Sequence, residues 1–342
     1  MLLDGLSSAA VQQCANALQA GGLVAFPTET VYGLGADAGN DLAVAKIFAA
    51  KGRPSNHPLI VHVDDRMQGA DGVAHFASDV PLFAQVLMRR FWPGPLTVIL
   101  PRRAQAGAAA AGGQDSIGLR CPAHGVAQSL LRACRELGVH GLAAPSANLF
   151  GRVSPTTAAH VREEFGDALL ILDGGPCAVG IESTIVDCTR ARPVLLRPGA
   201  VTRLQLEAAC GQPVWTSEQA DAQWPRTLAP RASGTLEAHY APKAKLRLMD
   251  GRALQTALDV LGAGISGQAP LIATYARCPL RVRTQSVLQR RMPADAQATA
   301  QQLFAVLRGF DDAGVKLIWV ETPPADLAWD GVRDRLQRAA AA

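Results

Sequence analysis

The sequence lacks an uncharged apolar run of the roughly 18 residues needed to cross a bilayer, and its first ten residues have no basic start and carry Asp4 in their only apolar stretch. Membrane insertion and export are therefore not expected, and the reading is cytoplasmic. Aromatic residues make up only 5%, so stacking bases on an aromatic platform is not the expected mode of action. Seven cysteines (Cys14, Cys121, Cys134, Cys177, Cys188, Cys210 and Cys278) are odd in number and never form Cys-x-x-Cys. That argues against a disulfide framework and a structural zinc, and for reduced thiols. There is no Walker A pattern, no Gly-x-Ser-x-Gly, and no histidine or carboxylate cluster of metal-ligand spacing. Gly33-Leu-Gly35 with Gly39 misses the dinucleotide fingerprint by one residue and follows what reads as a polar loop.

What is present is a globular composition, 49% hydrophobic and 18% charged, with a net charge of +4. So mild an excess fits an anionic ligand or a transient RNA contact and does not by itself indicate nucleic acid. At 342 residues the chain exceeds one ordinary core and suits two domains.

Ser7 or Ser8 can cap a helix with Val11, Cys14, Ala15 and Leu18 on one face, stopped at Gly21-Gly22. The spacing then predicts a strand Leu23 to Phe26, a helix from Asn40 or Asp41 to Lys51-Gly52, and a strand Leu59 to Val63. Helices at 80–91, 123–137 and 157–165 alternate with strands at 96–101, 117–120 and 141–144, so the class is α/β. Three further strands, 169–172, 183–187 and 193–196, follow without intervening helices, which makes part of the sheet antiparallel. Thr202 and Gln205 suit a capping box opening a helix to Cys210. The expected division is a first domain 1–210, an irregular Pro- and Gly-marked linker 211–243, and a second domain 244–342. In the second domain strands are expected at Lys245 to Met249, Leu271 to Tyr275 and Lys316 to Val320, with helices at 252–262, 294–309 and 326–340.

Small polar residues crowd directly after apolar strands in Pro27-Thr28-Glu29-Thr30 and Pro145-Ser146-Ala147-Asn148. In α/β folds ligands sit at the carboxyl ends of strands. Lys51-Gly52-Arg53-Pro54 through His57-Pro58 places cations and a histidine in a stiff loop, good equipment for phosphate oxygens if it is not merely a solvated charge run. Arg120 beside a strand and Arg197 before Pro198-Gly199 need an anionic partner if they point inward. Cations imply an anion, and scattered hydroxyls a polar small molecule.

Several segments, in order from about residue 8 to 210, resemble the YrdC/TsaC family: Phe26 to Gly35, Lys51-Gly-Arg-Pro54, Pro58 to His62, Trp92 to Thr97, Pro145 to Asn148, Ser154-Pro-Thr156, Asp173 to Pro176, Glu182-Ser-Thr184 and Leu196 to Gly199. Ser233 to Pro242 resembles the linker of the long, two-domain form. The resemblance implies a twisted mixed sheet around a deep positive cavity, with a smaller Rossmann-like C-terminal α/β domain. It implies a nucleotidyltransferase that joins L-threonine, bicarbonate and ATP into a threonylcarbamoyl adenylate with release of pyrophosphate. Mg²⁺ would accompany ATP, and a separate tRNA-modifying transferase complex would take the product.

Carried over by position, threonine would be held by Thr30, His62, Arg120, Ser183 and the backbone at Ala144. ATP would be held by Lys51, Arg53, His57, Ser116, Ser146, Asn148, Ser154, Arg197 and, from a linker reaching over the site, Tyr240. Lys51 and Arg53 would carry the catalysis. Ser116-Ile117 stands where Thr-Val is usual, which keeps the hydroxyl, and His57 occupies a variable place. The alternative is an RNA-binding or ribosome-assembly module using the same basic cavity, against which the few aromatics and modest charge argue. Carbamoyl-transferring maturation factors with this domain carry Cys-x-x-Cys zinc motifs that are missing here.

Overall fold

The computed structural model describes residues 1–65, 70–225, 229–261 and 271–342, and the chain forms two compact units. The first comprises 1–150 with 154–235, the second 151–153 with 236–342. No helix among the described residues is long and apolar enough to cross a membrane.

In the first unit the strands are β1 (Leu2–Asp4), β2 (Val24–Phe26), β3 (Gly33–Asp37), β4 (Ile60–His62), β5 (Leu96–Pro101), β6 (Ser116–Arg120), β7 (Leu142–Ala143), β8 (Leu170–Asp173), β9 (Thr184–Asp187), β10 (Val194–Arg197) and β11 (Trp215–Thr216). The helices are α1 (Ser8–Gln19), α2 (Asp41–Lys51), α3 (Ala70–Phe76), α4 (Leu82–Phe91), α5 (Gly125–Glu136), α6 (Ala158–Phe165), α7 (Arg203–Cys210) and α8 (Ser217–Asp221). The strands make one mixed sheet in the order β1-β8-β2-β3-β7-β4-β6-β5-β9-β10-β11.

Strand side chains alternate between two cores, as a period of two requires. Val24, Phe26, Leu142 and Leu172 join Leu18 of α1 and Leu130 of α5 on one face, while Ala25, Ala143 and Ile171 join Ile47, Leu87 and Leu119 on the other. Being apolar on both faces, these strands read as continuous hydrophobic runs. Full burial of Phe26 alone is worth roughly 2–3 kcal/mol.

The caps follow the side-chain chemistry. Ser7, Asn40 and Thr157 accept from the backbone N–H of Ala10, Ala43 and His160, and Thr202 with Gln205 forms both bonds of a capping box. α2 ends at Gly52, whose φ of 62° turns the chain left-handed and aims the next residue away from the helix.

The structure departs from the expected elements in three places. Gly33 to Asp37, where the sequence predicts no element, is strand β3, antiparallel to β2, in keeping with the failed dinucleotide fingerprint. A Cβ on Gly35 would lie 2.7 Å from the Phe26 ring, so glycine serves ring packing there. β1 was not expected, since three residues carry no readable alternation. The stretch after Cys210 is not irregular throughout: β11 adds to the sheet, and Thr216 with Gln219 forms a second capping box that opens α8.

The second unit contains β12 (Lys245–Met249), α9 (Gly251–Leu261), β13 (Ile272–Ala276), β14 (Val287–Arg291), α10 (Ala296–Asp312), β15 (Leu317–Glu321) and α11 (Asp330–Ala340). All pairs in its sheet β12-β15-β13-β14 are parallel. Leu254, Leu258, Ile272, Val287 and Trp319 form one core cluster. β14 was not expected because its end, Gln289-Arg290-Arg291, is exposed and polar on an edge. Position 262, the expected end of α9, lies outside the described residues.

Gly35→Ala should lower stability by about 1–3 kcal/mol, because the enclosed Phe26 ring must move to admit a methyl group. Gly125→Ala, where nothing lies within 4 Å of the added Cβ, should be neutral or slightly stabilising. Denaturant midpoints of both variants check this, and a Gly35→Ala protein as stable as Gly125→Ala would refute the packing argument.

Candidate active site

The loops at the strand ends bring polar side chains into the interior of the first unit. Lys51 is the last residue of α2 and only 2% exposed, and its Nζ donates to the carbonyl oxygens of Ser146, at 2.7 Å, and of Asn148 in the loop after β7. Burial first, and then the charge of Arg53, hold its ammonium well below the usual lysine range, against the opposing pull of Glu164 and Glu182.

Past the left-handed Gly52, Arg53 turns inward. Its Nη2 donates to the Pro58 carbonyl at 2.9 Å and to Ser233 Oγ at 3.4 Å, and its guanidinium lies 5.7 Å from the Phe150 ring. His57, half-buried, meets the same ring edge-on at 5.6 Å. Burial, Arg53 and Arg231 lower its pKa.

Arg197 reaches the same place from the opposite side. The β9–β10 register shifts between Leu195 and Arg197, and such an irregularity re-aims the side chain that follows. Arg197 donates to the Ser183 carbonyl at 2.8 and 3.1 Å, to Ser183 Oγ at 3.2 Å and to the Ser233 carbonyl at 2.9 Å. Ser183 Oγ in turn lies 2.8 Å from Thr97 Oγ1. Ser116, at the start of β6, lines the adjoining cleft with Pro58, Thr97, Arg231 and Ser233. Ser154 donates to the carboxylate of Glu182.

A second group gathers where β4 and β6 run parallel, which sets His62 beside Arg120. Arg120 pairs with Glu29 at 2.7 Å and donates to the Gly94 carbonyl at 3.3 Å. The His62 ring stands edge-on to Phe26 at 5.9 Å. Thr30 Oγ1 lies 2.8 Å from Thr28 Oγ1, and the Ala144 N–H is committed to the Ile60 carbonyl at 2.9 Å.

All the expected residues but one thus belong to the first unit. Tyr240 belongs to the second: 1% exposed, at a left-handed φ of 62°, it stacks on Phe304 at 5.6 Å beneath the guanidinium of Arg335 at 5.1 Å. Sequence reasoning passed over Glu29, Thr97, Glu182 and Ser233. All four lay within segments already singled out, and an unmatched Arg120 was the signal for Glu29. A wide groove of about 1090 Å³ lined by Leu6, His124 and Arg132 holds none of these residues. Convergence of buried cations is the better guide than size.

Residues 16–199 match the Sua5/YciO/YrdC family profile, described as telomere recombination, and residues 201–341 match a profile described as the threonylcarbamoyl-AMP synthase C-terminal domain. The chain is 38% identical over 334 residues to a threonylcarbamoyl-AMP synthase of Bacillus subtilis, covering 96% of this chain and 92% of that one. It is 41% identical over 246 residues to one from Pyrococcus abyssi, 70% of this chain and 68% of the other. The crystal structure of Pyrococcus abyssi Sua5 complexed with L-threonine matches with a TM-score of 0.85 at 32% identity, covering 99% of this chain and 97% of that one.

Burial, and then the neighbouring Arg120 charge, lower the His62 pKa from 6.5 to about 3. The unfolded chain, with an ordinary imidazole, therefore takes up the proton first. The contribution is intact above about pH 6.5 and is lost as pH falls toward 3, at about 1.4 kcal/mol per pH unit. Between pH 7.5 and 5 the wild type should lose about 2 kcal/mol more stability than His62→Gln, read from denaturant unfolding at both pH values. Equal losses would show that His62 does not titrate as described.

Proposed function

We infer, from the premise that this chain belongs to the Sua5/YciO/YrdC family, that it is a threonylcarbamoyl-AMP synthase: it joins L-threonine, bicarbonate and ATP and releases pyrophosphate. The observation that carries the mechanism is the convergence of Arg53 and Arg197 on Ser233, with Lys51, two residues before Arg53, held by the carbonyls of Ser146 and Asn148. Basic residues in so dry a setting suit a polyphosphate. The RNA-binding alternative through this cavity is not favoured.

Threonine is assigned to the second group. Arg120 keeps donors for the substrate carboxylate while Glu29 anchors it. The Ala144 N–H is already used, so that residue has its carbonyl to offer, an acceptor for the ammonium. Thr30 and His62 supply hydroxyl and imidazole groups, and Ser183, from the Arg197 side of the site, a further hydroxyl. A neutral His62 can hydrogen-bond without adding charge.

ATP is assigned to Lys51, Arg53, His57, Ser116, Ser146, Asn148, Ser154 and Arg197. The threonine amine and bicarbonate give a carbamate and water. A carbamate oxygen then bonds to the α-phosphorus as the bond to the β-phosphate oxygen breaks, so the class is nucleotidyltransferase. No side chain becomes a covalent nucleophile. Arg53 and Lys51 hold the phosphates in line and meet the charge growing on the leaving pyrophosphate, effects worth several kcal/mol in such sites.

Among the described residues no three or more His, Cys, Asp or Glu side chains gather as a metal cage. Mg²⁺ draws most of its ligands from substrate phosphates and water and needs only one or two carboxylates. The donor set therefore fits a metal entering with the triphosphate, with buried Glu182 the carboxylate offered to it. When bound it would neutralise part of the phosphate charge. The acyl-adenylate is water-sensitive, so a tRNA-modifying transferase must take it up promptly. Free thiols at all seven cysteines support a cytoplasmic setting.

Pyrophosphate, not orthophosphate, should appear only when threonine and bicarbonate are both present, and equal release without threonine would overturn the reading. Arg53→Ala should cut the rate tenfold or more with little change in Tm. Arg53→Lys should be less severe, because lysine keeps the charge and loses the fork. Full activity in Lys51→Ala/Arg53→Ala would show that these buried cations serve packing and not catalysis.

A further inference from the structure

Between residues 260 and 294 the sequence contains no Asp or Glu, yet carries Arg277, Arg281, Arg283, Arg290 and Arg291. Arg277 is spoken for: it pairs with Glu321 at 2.7 Å and lies over Trp329 at 5.6 Å. The other four are exposed. The chain leading into β14 alternates, with Leu280 and Val282 packed against the core cluster of the second unit while Arg281, Arg283 and Gln285 face solvent. β14 then ends in exposed Gln289, Arg290 and Arg291 on the edge of the sheet, where among the described strands it pairs with β13 alone.

Guarding an edge strand against pairing with another chain needs one or two charges on the strand itself. It does not account for Arg281 and Arg283, which precede the strand, nor for the missing carboxylates. Uncompensated charge of one sign marks a surface for an anion. All four residues are arginine, whose planar fork grips phosphate bidentately. Residues two apart on extended chain are spaced by about 6.6 Å, comparable to the step between successive phosphates. Between them in the chain the other exposed side chains are Gln285 and Gln289, and Asp259 stands one hydrogen-bonded glutamine, Gln255, away from the Arg281 backbone. Among the described residues of the second unit the large exposed apolar side chains are Leu236, Val260 and Leu271, and none lies between Arg281 and Arg291. A protein interface would need a buried anchor and a membrane surface an apolar wedge, and neither is offered here.

We propose that the arginine-lined edge of the second unit, Arg281, Arg283, Arg290 and Arg291, is an RNA-binding surface that contacts the phosphate backbone without reading sequence. The choice of RNA as the polyanion rests on the synthase reading, since the product serves tRNA modification. The surface itself stands on charge and exposure.

The test is fluorescence anisotropy of labelled tRNA with the full chain across a salt series, beside pyrophosphate release by the same samples. Arg281→Gln/Arg283→Gln/Arg290→Gln/Arg291→Gln should weaken binding at least tenfold and reduce the slope of log K against log salt by up to about 3.6, from about 0.9 for each of four phosphate contacts. Its pyrophosphate release should match the wild type, so failure of this surface and failure of the synthase reading are told apart. If circular dichroism shows the fourfold variant misfolded, Arg283→Gln/Arg290→Gln should give about half the slope change. Absence of wild-type binding, binding unchanged by the substitutions, or equal binding to phosphatidylserine vesicles or polyglutamate would each overturn the proposal.

Discussion

Lys51, Arg53, Arg120 and Arg197 are each at least nine-tenths shielded from water, and that shielding dictates much of what surrounds them. Removing a cation from water costs several kcal/mol even after relaxation, so each must be met by oxygen. Lys51 is met by the carbonyls of Ser146 and Asn148, and Arg197 by those of Ser183 and Ser233. Carbonyl dipoles offset desolvation without cancelling formal charge. A phosphate arriving there would gain a strong attraction at little cost in rearrangement, because the cations are already fixed. Arg120 is treated differently, with a carboxylate 2.7 Å away. The Arg120 end of the site thus carries both signs, whereas the cations held by carbonyls carry one.

Ser233 gives the chain between the two sheets a chemical part in this arrangement. Its hydroxyl accepts from Arg53 and its carbonyl from Arg197, while Gln114 and Arg231 exchange hydrogen bonds two residues earlier. A stretch rich in proline and glycine suits the task, since it offers backbone oxygens that no helix or sheet ladder has consumed. The neutral oxygens of Ser233 stand against two guanidiniums where a phosphate would bring charged ones.

The sequence was most legible where one local signal acted alone. Serine, asparagine and threonine caps, the glycine after Lys51 and the predominantly apolar runs of β4 and β5 located their elements to within a residue or two. It was least legible where a distant partner decided the outcome. Gly33 and Gly35 give no strand signal until the Phe26 ring is known to lie across them. β14 looks like loop because an exposed edge needs no apolar alternation. The resemblance supplied a candidate set that local reasoning could not have assembled, and the fold gathers all of it except Tyr240 into one unit. Glu29 and Ser233 went unassigned because their importance lies in what they touch, Arg120 in β6 and the Arg53–Arg197 pair, and no spacing rule records such contacts.

Arginine is used in two opposite ways in this chain, and the difference follows from solvent. Arg53, Arg120 and Arg197 are buried among fixed oxygens, where the dielectric is low and one bidentate contact can orient a reactant. Arg281, Arg283, Arg290 and Arg291 stand in water, where each contact is weak and screened beyond about 10 Å at 0.1 M salt. Buried, the guanidinium serves geometry, because its neighbours leave it one orientation. Exposed, it serves attraction, because a flexible side chain follows a backbone of variable shape. A chain whose overall excess is only +4 can accommodate both, since the charge that matters to each partner is the local one.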